Sequence, residues 1–312
     1  MNTNEEFARR ARRRSGPGLA KVTCGLVTIA ALFSTSRLEA VTVTFDPVAD
    51  NWINSCASSA EANYGDDLEL RVRTASLWGD IKNFRSLLRF DLSESQVEGS
   101  WVTNATLGLY YYTYHYGDPA GRIYAVHRVT SSWEEMGSTW YARSGQGTPD
   151  PVYWDSYWAG APPYRPGGGD FDTNGYAFAE VPAAPGEWIT WDVTELVRDW
   201  LDESHPNDGL LIKDTDEFEE DPGADVSYGP AQFSSIDYWN EAEWPYIEVT
   251  YRVPGDFDDD GDVDLDDFAN WDACATGPGQ GSCADECCAF DFDGDDDVDL
   301  HDFAALQATT SP

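Results

Sequence analysis

An acidic sequence motif occurs twice near the C-terminal end of this chain, and it limits how that end can fold. Residues 256–268 read DFDDDGDVDLDDF, and residues 291–303 read DFDGDDDVDLHDF. In each copy, carboxylates recur at positions 1, 3, 5, 9 and 12. Because residues 254–312 contain no Lys or Arg, a compact form of this segment needs cations from solution to offset repulsion between its carboxylates.

The spacing of these carboxylates is that of a calcium-binding loop. Calcium takes about six to eight oxygen ligands, and alternating aspartates in a tight loop bring their oxygens to one point. Position 7 contributes its backbone carbonyl, and position 12 binds with both oxygens. A disordered acidic tail is the alternative, but it would not repeat its apolar residues in register. We therefore predict two calcium ions, with ligands drawn from Asp256, Asp258, Asp260, Asp262, Asp264 and Asp267 and from Asp291, Asp293, Asp295, Asp297, Asp299 and Asp302.

Each predicted loop is followed by a helical pattern but is not preceded by one, because residues 250–255, TYRVPG, read as a strand end and a turn. Val263 and Val298, at position 8, are expected to point inward and pair the loops. The two helices are expected to bury a small shared core formed by Leu265, Phe268, Leu300 and Phe303.

Two such loop-and-helix units in succession resemble the type I dockerin. The resemblance covers residues 254–312 and implies calcium-dependent folding and docking onto a cohesin-like partner. The chain departs from the family at position 6 of the second loop, where Asp296 replaces glycine. It also carries Leu265 and Leu300 at position 10, where cellulosomal dockerins commonly begin the hydroxyl pair that contacts cohesin.

The charge distribution argues against some partners and suggests export. A net charge of −38 over 312 residues opposes binding to nucleic acid and to anionic membranes. Residues 1–40 combine a basic start with the apolar stretch Val22–Phe33, which is shorter than the roughly 20 residues that span a bilayer. We predict a signal peptide over residues 1–40, ending at Leu38-Glu39-Ala40, and a secreted mature chain without a membrane span. A basic leader on a cytosolic protein is the alternative.

An oxidising compartment favours disulfides among the cysteines between the acidic loops. Two bridges are predicted there, and three pairings are open in principle, although geometry disfavours a bond between the adjacent Cys287 and Cys288. A zinc site is a weaker interpretation because no histidine accompanies these cysteines and their spacing is uneven. Cys56 is expected to be buried as a small apolar residue. The four cysteines between the loops are Cys274, Cys283, Cys287 and Cys288.

Short alternating strand patterns, separated by turn residues, run through residues 41–253. They predict a mainly β fold, an antiparallel β-sandwich or jelly roll, with the small α-helical C-terminal module of two calcium loop-helix half-hands attached. One helix is expected after Asp192–Glu195, which resembles a capping box. Its apolar face is formed by Leu196, Val197, Trp200 and Leu201.

Several phrases of residues 41–253 occur in an order that resembles the DNRLRE domain, which is related to carbohydrate-binding module family 96. This resemblance implies a β-sandwich of secreted proteins that act on or attach to polysaccharides. We therefore expect a signal peptide (1–40), a DNRLRE-like domain (41–253) and a dockerin-like domain (254–312). The phrases begin with Asp50-Asn-Trp-Ile, Asn63-Tyr-Gly and Arg85-Ser-Leu-Leu-Arg-Phe-Asp-Leu and end with Trp188-Ile-Thr-Trp-Asp-Val-Thr, Val197-Arg-Asp-Trp-Leu, Gly209-Leu-Leu-Ile-Lys-Asp and Pro245-Tyr-Ile-Glu-Val-Thr-Tyr.

A polysaccharide or cell-surface glycan is the expected ligand, because sugar rings stack on exposed aromatic side chains. The insert between residues 140 and 164 is dense in such side chains, and its predicted binding residues are Trp140, Tyr153, Trp154, Tyr157, Trp158 and Tyr164. A regular strand would also place Tyr110, Tyr112, Tyr114 and Tyr116 on one sheet face, opposite Leu107, Leu109 and Tyr111. Aromatic residues in a core are the alternative for both groups.

Other polar residues are expected to have structural roles. Internal salt bridges are favoured over an acidic glycan for the arginines Arg71, Arg73, Arg85 and Arg122. Asp50 is a candidate ligand for a further calcium ion in the sandwich, ahead of Asp46 and Asp214, although an ordinary turn aspartate is the alternative.

We predict a non-catalytic protein, since no nucleophile elbow or zinc-protease motif occurs. A structural or adhesive surface protein is one alternative. A polysaccharide lyase or glycoside hydrolase is another, because two well-placed carboxylates suffice for glycoside hydrolysis.

Overall fold

The computed structural model describes residues 41–93, 101–156, 167–219, 222–258, 263–279, 283, 287–292, 295 and 297–309. The predicted signal peptide lies outside these residues. So do six predicted ligand residues, namely Tyr157, Trp158, Tyr164, Asp260, Asp262 and Asp293.

The described residues form a mainly β structure, which confirms the predicted fold class. The strands are β1 (Val41–Phe45), β2 (Pro47–Asn54), β3 (Glu69–Val72), β4 (Ala75–Leu77), β5 (Asp80–Ile81), β6 (Phe84–Phe90), β7 (Trp101–Tyr114), β8 (Ile123–Arg128), β9 (Ala142–Ser144), β10 (Val152–Tyr153), β11 (Ala177–Glu180), β12 (Glu187–Asp192), β13 (Leu210–Asp214), β14 (Val226–Ser227), β15 (Ala231–Ser234) and β16 (Tyr246–Arg252). The α-helices are α1 (Thr194–Leu201), α2 (Leu265–Phe268), α3 (Trp271–Cys274) and α4 (Leu300–Thr309). No helix among the described residues has the length and apolar character needed to cross a membrane.

Two antiparallel sheets form the sandwich. The first sheet has the order β1-β16-β7-β15-β3, with β12 also paired to β7, and the second has the order β11-β8-β13-β6-β2. Gly108 of β7 pairs with both Thr190 of β12 and Tyr246 of β16, which places these two strands on opposite sides of β7. A small third sheet, β14-β4-β5, and the hairpin β9-β10 complete the strand pairing.

The main core lies between the two large sheets. Leu107, Leu109 and Tyr111 share one face of β7, as the alternation of that strand predicts, and the structure shows that this face is fully buried in the core. Leu196, Val197 and Trp200 of α1 join the same core, so the predicted apolar face of this helix is also confirmed.

The predicted capping box of α1 is wrong. The helix begins at Thr194, and Val193 occupies the capping position without a side-chain hydrogen bond. Asp192 Oδ1 instead accepts hydrogen bonds from the backbone N–H and the hydroxyl of Thr194, at 3.0 and 2.6 Å. Because Thr194 Oγ1 also accepts the N–H of Ala105 at 2.9 Å, the helix start is fixed to β7.

A β-bulge interrupts the predicted tyrosine stripe. Phe233 of β15 pairs with Tyr111 while its neighbour Gln232 pairs with Thr113, so Tyr112 is the extra residue on β7. A bulge reverses the alternation beyond it. Tyr114 therefore packs against the core, and Tyr116 lies in a turn beyond the strand.

The C-terminal residues pack around a separate apolar cluster. Its buried members are Trp271, Cys274, Cys283, Phe290, Val298 and Leu306, with Val263 and Phe303 partly buried against them. The disulfides Cys274–Cys287 and Cys283–Cys288 close this part of the chain, which confirms two bridges and selects one of the three pairings. Cys56 is free and buried, as predicted.

Two leucines predicted for this C-terminal core are instead exposed. Leu265 and Leu300 are 80% and 79% accessible, and Phe268 is 41% accessible. The reason is helical geometry, because position 12 must turn its carboxylate into the loop. Position 10 lies two residues earlier, about 200° around the helix axis, and therefore faces solvent.

Candidate functional site

The two acidic loops have the same hydrogen-bond pattern. In each, the carboxylate at position 12 accepts hydrogen bonds from the backbone N–H groups of positions 2 and 9. The distances are 2.6 and 2.7 Å for Asp267, and both are 2.7 Å for Asp302. The carboxylate at position 9 caps the following helix in both copies, accepting the N–H two residues on at 2.7 Å. The sequence repeat is therefore also a structural repeat.

The loops bury carboxylates close together. Ligand oxygens of Asp256, Asp258 and Asp267 lie within 4.8 Å of one another, and the same holds for Asp297, Asp299 and Asp302. In addition, Asp297 Oδ1 is buried without a hydrogen-bond partner. Buried carboxylates are costly unless a positive charge accompanies them, and residues 254–312 supply none. This all-oxygen donor set suits a hard divalent cation such as calcium.

The predicted ligands differ in burial. Asp258 and Asp295, at positions 3 and 5, remain exposed. Of the predicted calcium ligands that the structure describes, those at positions 1, 7 and 12 are buried, namely Asp256, Asp267, Asp291, Asp297 and Asp302. The residues that the structure describes in each loop therefore fit a calcium site.

Two tryptophans of the aromatic insert, by contrast, are built into a core. Trp140 is 7% accessible and Trp154 1%, and both pack with Trp133 against the side of the second sheet that faces away from the main core. Trp154 Nε1 donates to the carbonyl of Thr139 at 2.9 Å. The ring of Trp140 lies 4.8 Å from the Arg85 guanidinium.

This placement corrects the prediction for two residues. Neither Trp140 nor Trp154 offers a ring face on which a sugar could stack. Tyr153, on the edge hairpin, is 45% accessible and is the member of the predicted group that the structure shows at the surface.

An aromatic surface does exist on the solvent side of the first sheet. We call it the outer aromatic face, and it consists of Tyr110, Tyr112, Trp188, Tyr238, Trp239 and Tyr246. Ring centroids are 5.0 Å apart for Tyr246 and Trp188, and 5.4 Å for Trp188 and Tyr110. They are 5.4 Å apart for Tyr112 and Tyr238, and 5.2 Å for Tyr238 and Trp239. Tyr110 and Tyr112 connect the two groups, because they lie two residues apart on β7.

Gly108 makes this aromatic face continuous across β7. Trp188 and Tyr246 belong to strands on opposite sides of β7, and their rings meet over the glycine. A Cβ at residue 108 would overlap the Tyr246 ring. The missing side chain therefore allows two rings from different strands to form one surface.

Polar side chains adjoin the outer aromatic face. Glu69 accepts hydrogen bonds from the Tyr112 hydroxyl, from Gln232 Nε2 and from Arg71. Burial, together with the bond to Glu69, raises the pKa of Tyr112 above its usual value, so its hydroxyl stays protonated. Gln232 Oε1 is buried without a hydrogen-bond partner. Sugar rings stack on the flat faces of aromatic side chains, and polar side chains beside them form hydrogen bonds with the sugar hydroxyls.

Residues 41–150 match the family described as carbohydrate-binding module family 96. No curated protein matches the chain. The family 96 match covers β1 to β9 and includes Tyr110 and Tyr112 of the outer aromatic face. It indicates a carbohydrate-binding function and an extracellular setting. It does not reach the acidic loops, so the dockerin resemblance stays a prediction.

The arginines are mostly engaged within the fold. Three of the four form the predicted salt bridges, in the pairs Arg71–Glu69, Arg85–Glu217 and Arg122–Asp214. Arg73 does not follow the prediction. It donates to the carbonyl of Tyr228 at 3.0 Å and to the hydroxyl of Ser227 at 2.9 Å.

Asp50 is a buried strand residue rather than a turn aspartate. It is 1% accessible, and its Oδ2 accepts the N–H of Ile236 at 2.8 Å. Burial, and then the neighbouring charges of Glu135 and Asp237, raise the pKa of Asp50 to about 8. Among the described residues, both clusters of three carboxylates lie in the C-terminal loops, so a calcium ion at Asp50 stays a prediction.

Sequence reasoning missed four members of the outer aromatic face. Trp188 and Tyr246 alternate with the buried Ile189 and Ile247, so their outward direction was readable once the strands were recognised. Tyr238 and Trp239 lie in the connection between β15 and β16. No local sequence pattern predicts that this loop folds over Tyr112.

Proposed function

We propose that this protein binds a polysaccharide on its outer aromatic face while its C-terminal module, folded around calcium, attaches it to an extracellular partner. The observation that carries the proposal is the set of six aromatic residues on the outer side of the first sheet, of which Trp239 is exposed and the other five are half-buried. The family 96 match over residues 41–150 supports the same function.

The outer aromatic face suits an extended glycan rather than a small ligand. Its rings extend across β7 and onto the loop after β15. The rings of Tyr110 and Tyr246 are edge-on to Trp188, whereas Tyr238 is inclined by only 31° to Tyr112 and 37° to Trp239. Sugar units would therefore stack on the second group of rings and contact the edges of the first. Trp239, at one end, is 76% accessible. The partly accessible carboxylate of Glu69, which accepts the hydrogen bond of the Tyr112 hydroxyl, is the acceptor to which a sugar hydroxyl would donate.

Affinity electrophoresis tests this proposal. The chain is run in gels that contain a β-glucan, a xylan, a galactomannan or a polygalacturonate. We expect at least one polysaccharide to retard it, and Trp188→Ala and Trp239→Ala to reduce that retardation. Phe178→Ala is the matched control, because Phe178 is a 60% accessible ring outside the outer aromatic face. No retardation on any gel would instead favour the structural or adhesive alternative.

Product release from the same polysaccharides separates binding from catalysis. We propose a non-catalytic role, so neither reducing ends nor unsaturated products are expected after long incubation. Either product would favour the enzyme alternative.

We further propose that the C-terminal module docks onto a cohesin-like protein domain through an apolar surface. Leu265, Phe268 and Leu300 are exposed on two structurally repeated loop-and-helix units. Such leucines at position 10 would replace the hydroxyl contacts of cellulosomal dockerins. Binding to a panel of cohesin domains, measured with calcium and with chelator, is expected to require calcium. It is expected to weaken in the variant Leu265→Asp/Leu300→Asp.

Export is the remaining part of the proposal. Expression of the full-length gene in a secreting host is expected to give an extracellular protein that begins near residue 41. N-terminal sequencing of the secreted chain checks this position, and retention in the cytosol with residues 1–40 intact would contradict it.

A further inference from the structure

Two aromatic side chains outside the outer aromatic face have an unusual backbone. Trp78 and Tyr116 have φ angles of 56° and 57°, and Glu203 is the other non-glycine residue with positive φ among the residues that the structure describes. Bulky residues rarely adopt this left-handed conformation because their Cβ atoms crowd the backbone. Backbone strain of this kind concentrates at functional sites.

The two side chains are also the most exposed large apolar residues that the structure describes. Trp78 is 83% accessible and Tyr116 is 89% accessible. Neither ring contributes to a core, so packing does not explain why the chain tolerates the strain at these positions.

A tryptophan is unusual in the turn that contains Trp78. Trp78 and Gly79 connect β4 to β5, and both have positive φ, as in a type I′ hairpin turn. Asn, Asp or Gly is strongly preferred at the first position of such a turn. Lys82 Nζ lies 5.4 Å from the ring centroid of Trp78. The turn therefore displays a large ring where a small polar residue would fold more easily.

Neighbouring residues at β14 hold both aromatic turns. The N–H of Trp78 donates to Asp225 at 2.7 Å, and the Ser227 hydroxyl donates to the carbonyl of Tyr116 at 3.2 Å. Residues 225 and 227 are two positions apart, which corresponds to about 7 Å along an extended chain. The Tyr116 turn is fixed further by Gly229, where a Cβ would collide with the carbonyl of Gly117.

We propose that Trp78 and Tyr116 form a second glycan-binding site, here called the turn site, separate from the outer aromatic face. This inference rests on the proposed carbohydrate-binding function. The rings stand in polar surroundings that include Lys82, Asp225 and Ser227. Single rings among polar groups suit stacking of individual pyranose units, whereas a protein interface would need a contiguous apolar patch. With two sites, one sandwich would hold a polysaccharide at two points and gain avidity.

The test uses the full chain with Trp78→Asn and Tyr116→Asn, singly and together. Asparagine tolerates the left-handed conformation, so these variants are expected to fold. The melting temperature of Trp78→Asn is expected to rise by about 2–4 °C as strain is removed. On each gel that retards the wild type, we expect the double variant to bind at least about threefold more weakly, whereas Phe178→Asn should behave like the wild type.

Combination with Trp188→Ala separates the two sites. Trp188→Ala alone should retain part of the retardation, and addition of the double asparagine substitution should remove the rest. A double asparagine variant that is retarded like the wild type on every polysaccharide would overturn the proposed turn site. It would not contradict glycan binding by the outer aromatic face. A wild-type chain retarded by none of them would overturn both.

Discussion

The β-sandwich and the C-terminal module represent two ways of making a chain compact. The sandwich buries aliphatic and aromatic side chains between two sheets, and its second sheet is covered on both faces. Within the C-terminal module, the residues that the structure describes form one small apolar cluster, two disulfides and five buried aspartates. Apolar burial stabilises the first region under almost any solution condition. We propose that the second depends on calcium from the solvent, which would make attachment through it conditional.

Chelation is expected to separate the two regions most clearly. EDTA should unfold the C-terminal module while the sandwich keeps its structure, because removal of calcium leaves several aspartates facing one another without a cation. Circular dichroism and calorimetry of the full chain should show one calcium-dependent and one calcium-independent transition.

The double variant Asp267→Asn/Asp302→Asn tests the same dependence on calcium without a chelator. It keeps the side-chain size and one acceptor oxygen at each position. It should shift the calcium-dependent transition to higher calcium concentrations. Identical traces with chelator and with calcium would show that metal does not fold this module.

Truncation of a buried tryptophan should affect only the sandwich. Trp154→Ala is expected to lower the free energy of unfolding by about 3–5 kcal/mol, because it leaves a cavity beside the second sheet. Trp188→Ala, on the outer aromatic face, should cost about 1 kcal/mol. Urea denaturation of both variants measures the difference, and equal losses would mean that the two aromatic groups are buried alike.

Removal of a disulfide should affect only the C-terminal module. Cys274→Ser/Cys287→Ser opens a bridge with a sequence separation of 13 residues and is expected to cost about 2–4 kcal/mol. Calcium titrations of folding should therefore shift to higher concentrations, while the melting temperature of the sandwich stays unchanged. A lower melting temperature of the sandwich would show that the two regions are coupled.

The free energy of unfolding of the sandwich should depend on pH because of Asp50. Its pKa is about 8 in the folded chain and about 3.9 when unfolded. Between these values the folded state holds a proton that the unfolded state has released, so stability falls as pH rises from about 4 to 8. The slope from this group is at most about 1.4 kcal/mol per pH unit. In Asp50→Asn this slope should disappear, and urea midpoints measured across the window check it.

The sequence predicted the parts of this structure that depend on repeated local patterns. The repeated acidic motif predicted two equivalent loop-and-helix units, and the hydrogen bonds around Asp267 and Asp302 match between them. Alternation predicted that Leu107, Leu109 and Tyr111 share one face of β7, and the period of the helix predicted the buried face of α1. The double leucines at 87–88 and 210–211 also contained a signal that both faces of the second sheet are covered.

The direction of the aromatic residues was decided by tertiary structure. Trp154 lies in the aromatic-rich insert that predicted an exposed ring, yet it is buried against the second sheet. A bulge at Tyr112, formed by pairing with β15, redirected the tyrosines that follow it. Local sequence determines which residues can share a face, because backbone geometry is periodic. Which face is covered depends on contacts between segments far apart in the chain, and only the folded arrangement of sheets and loops determines those.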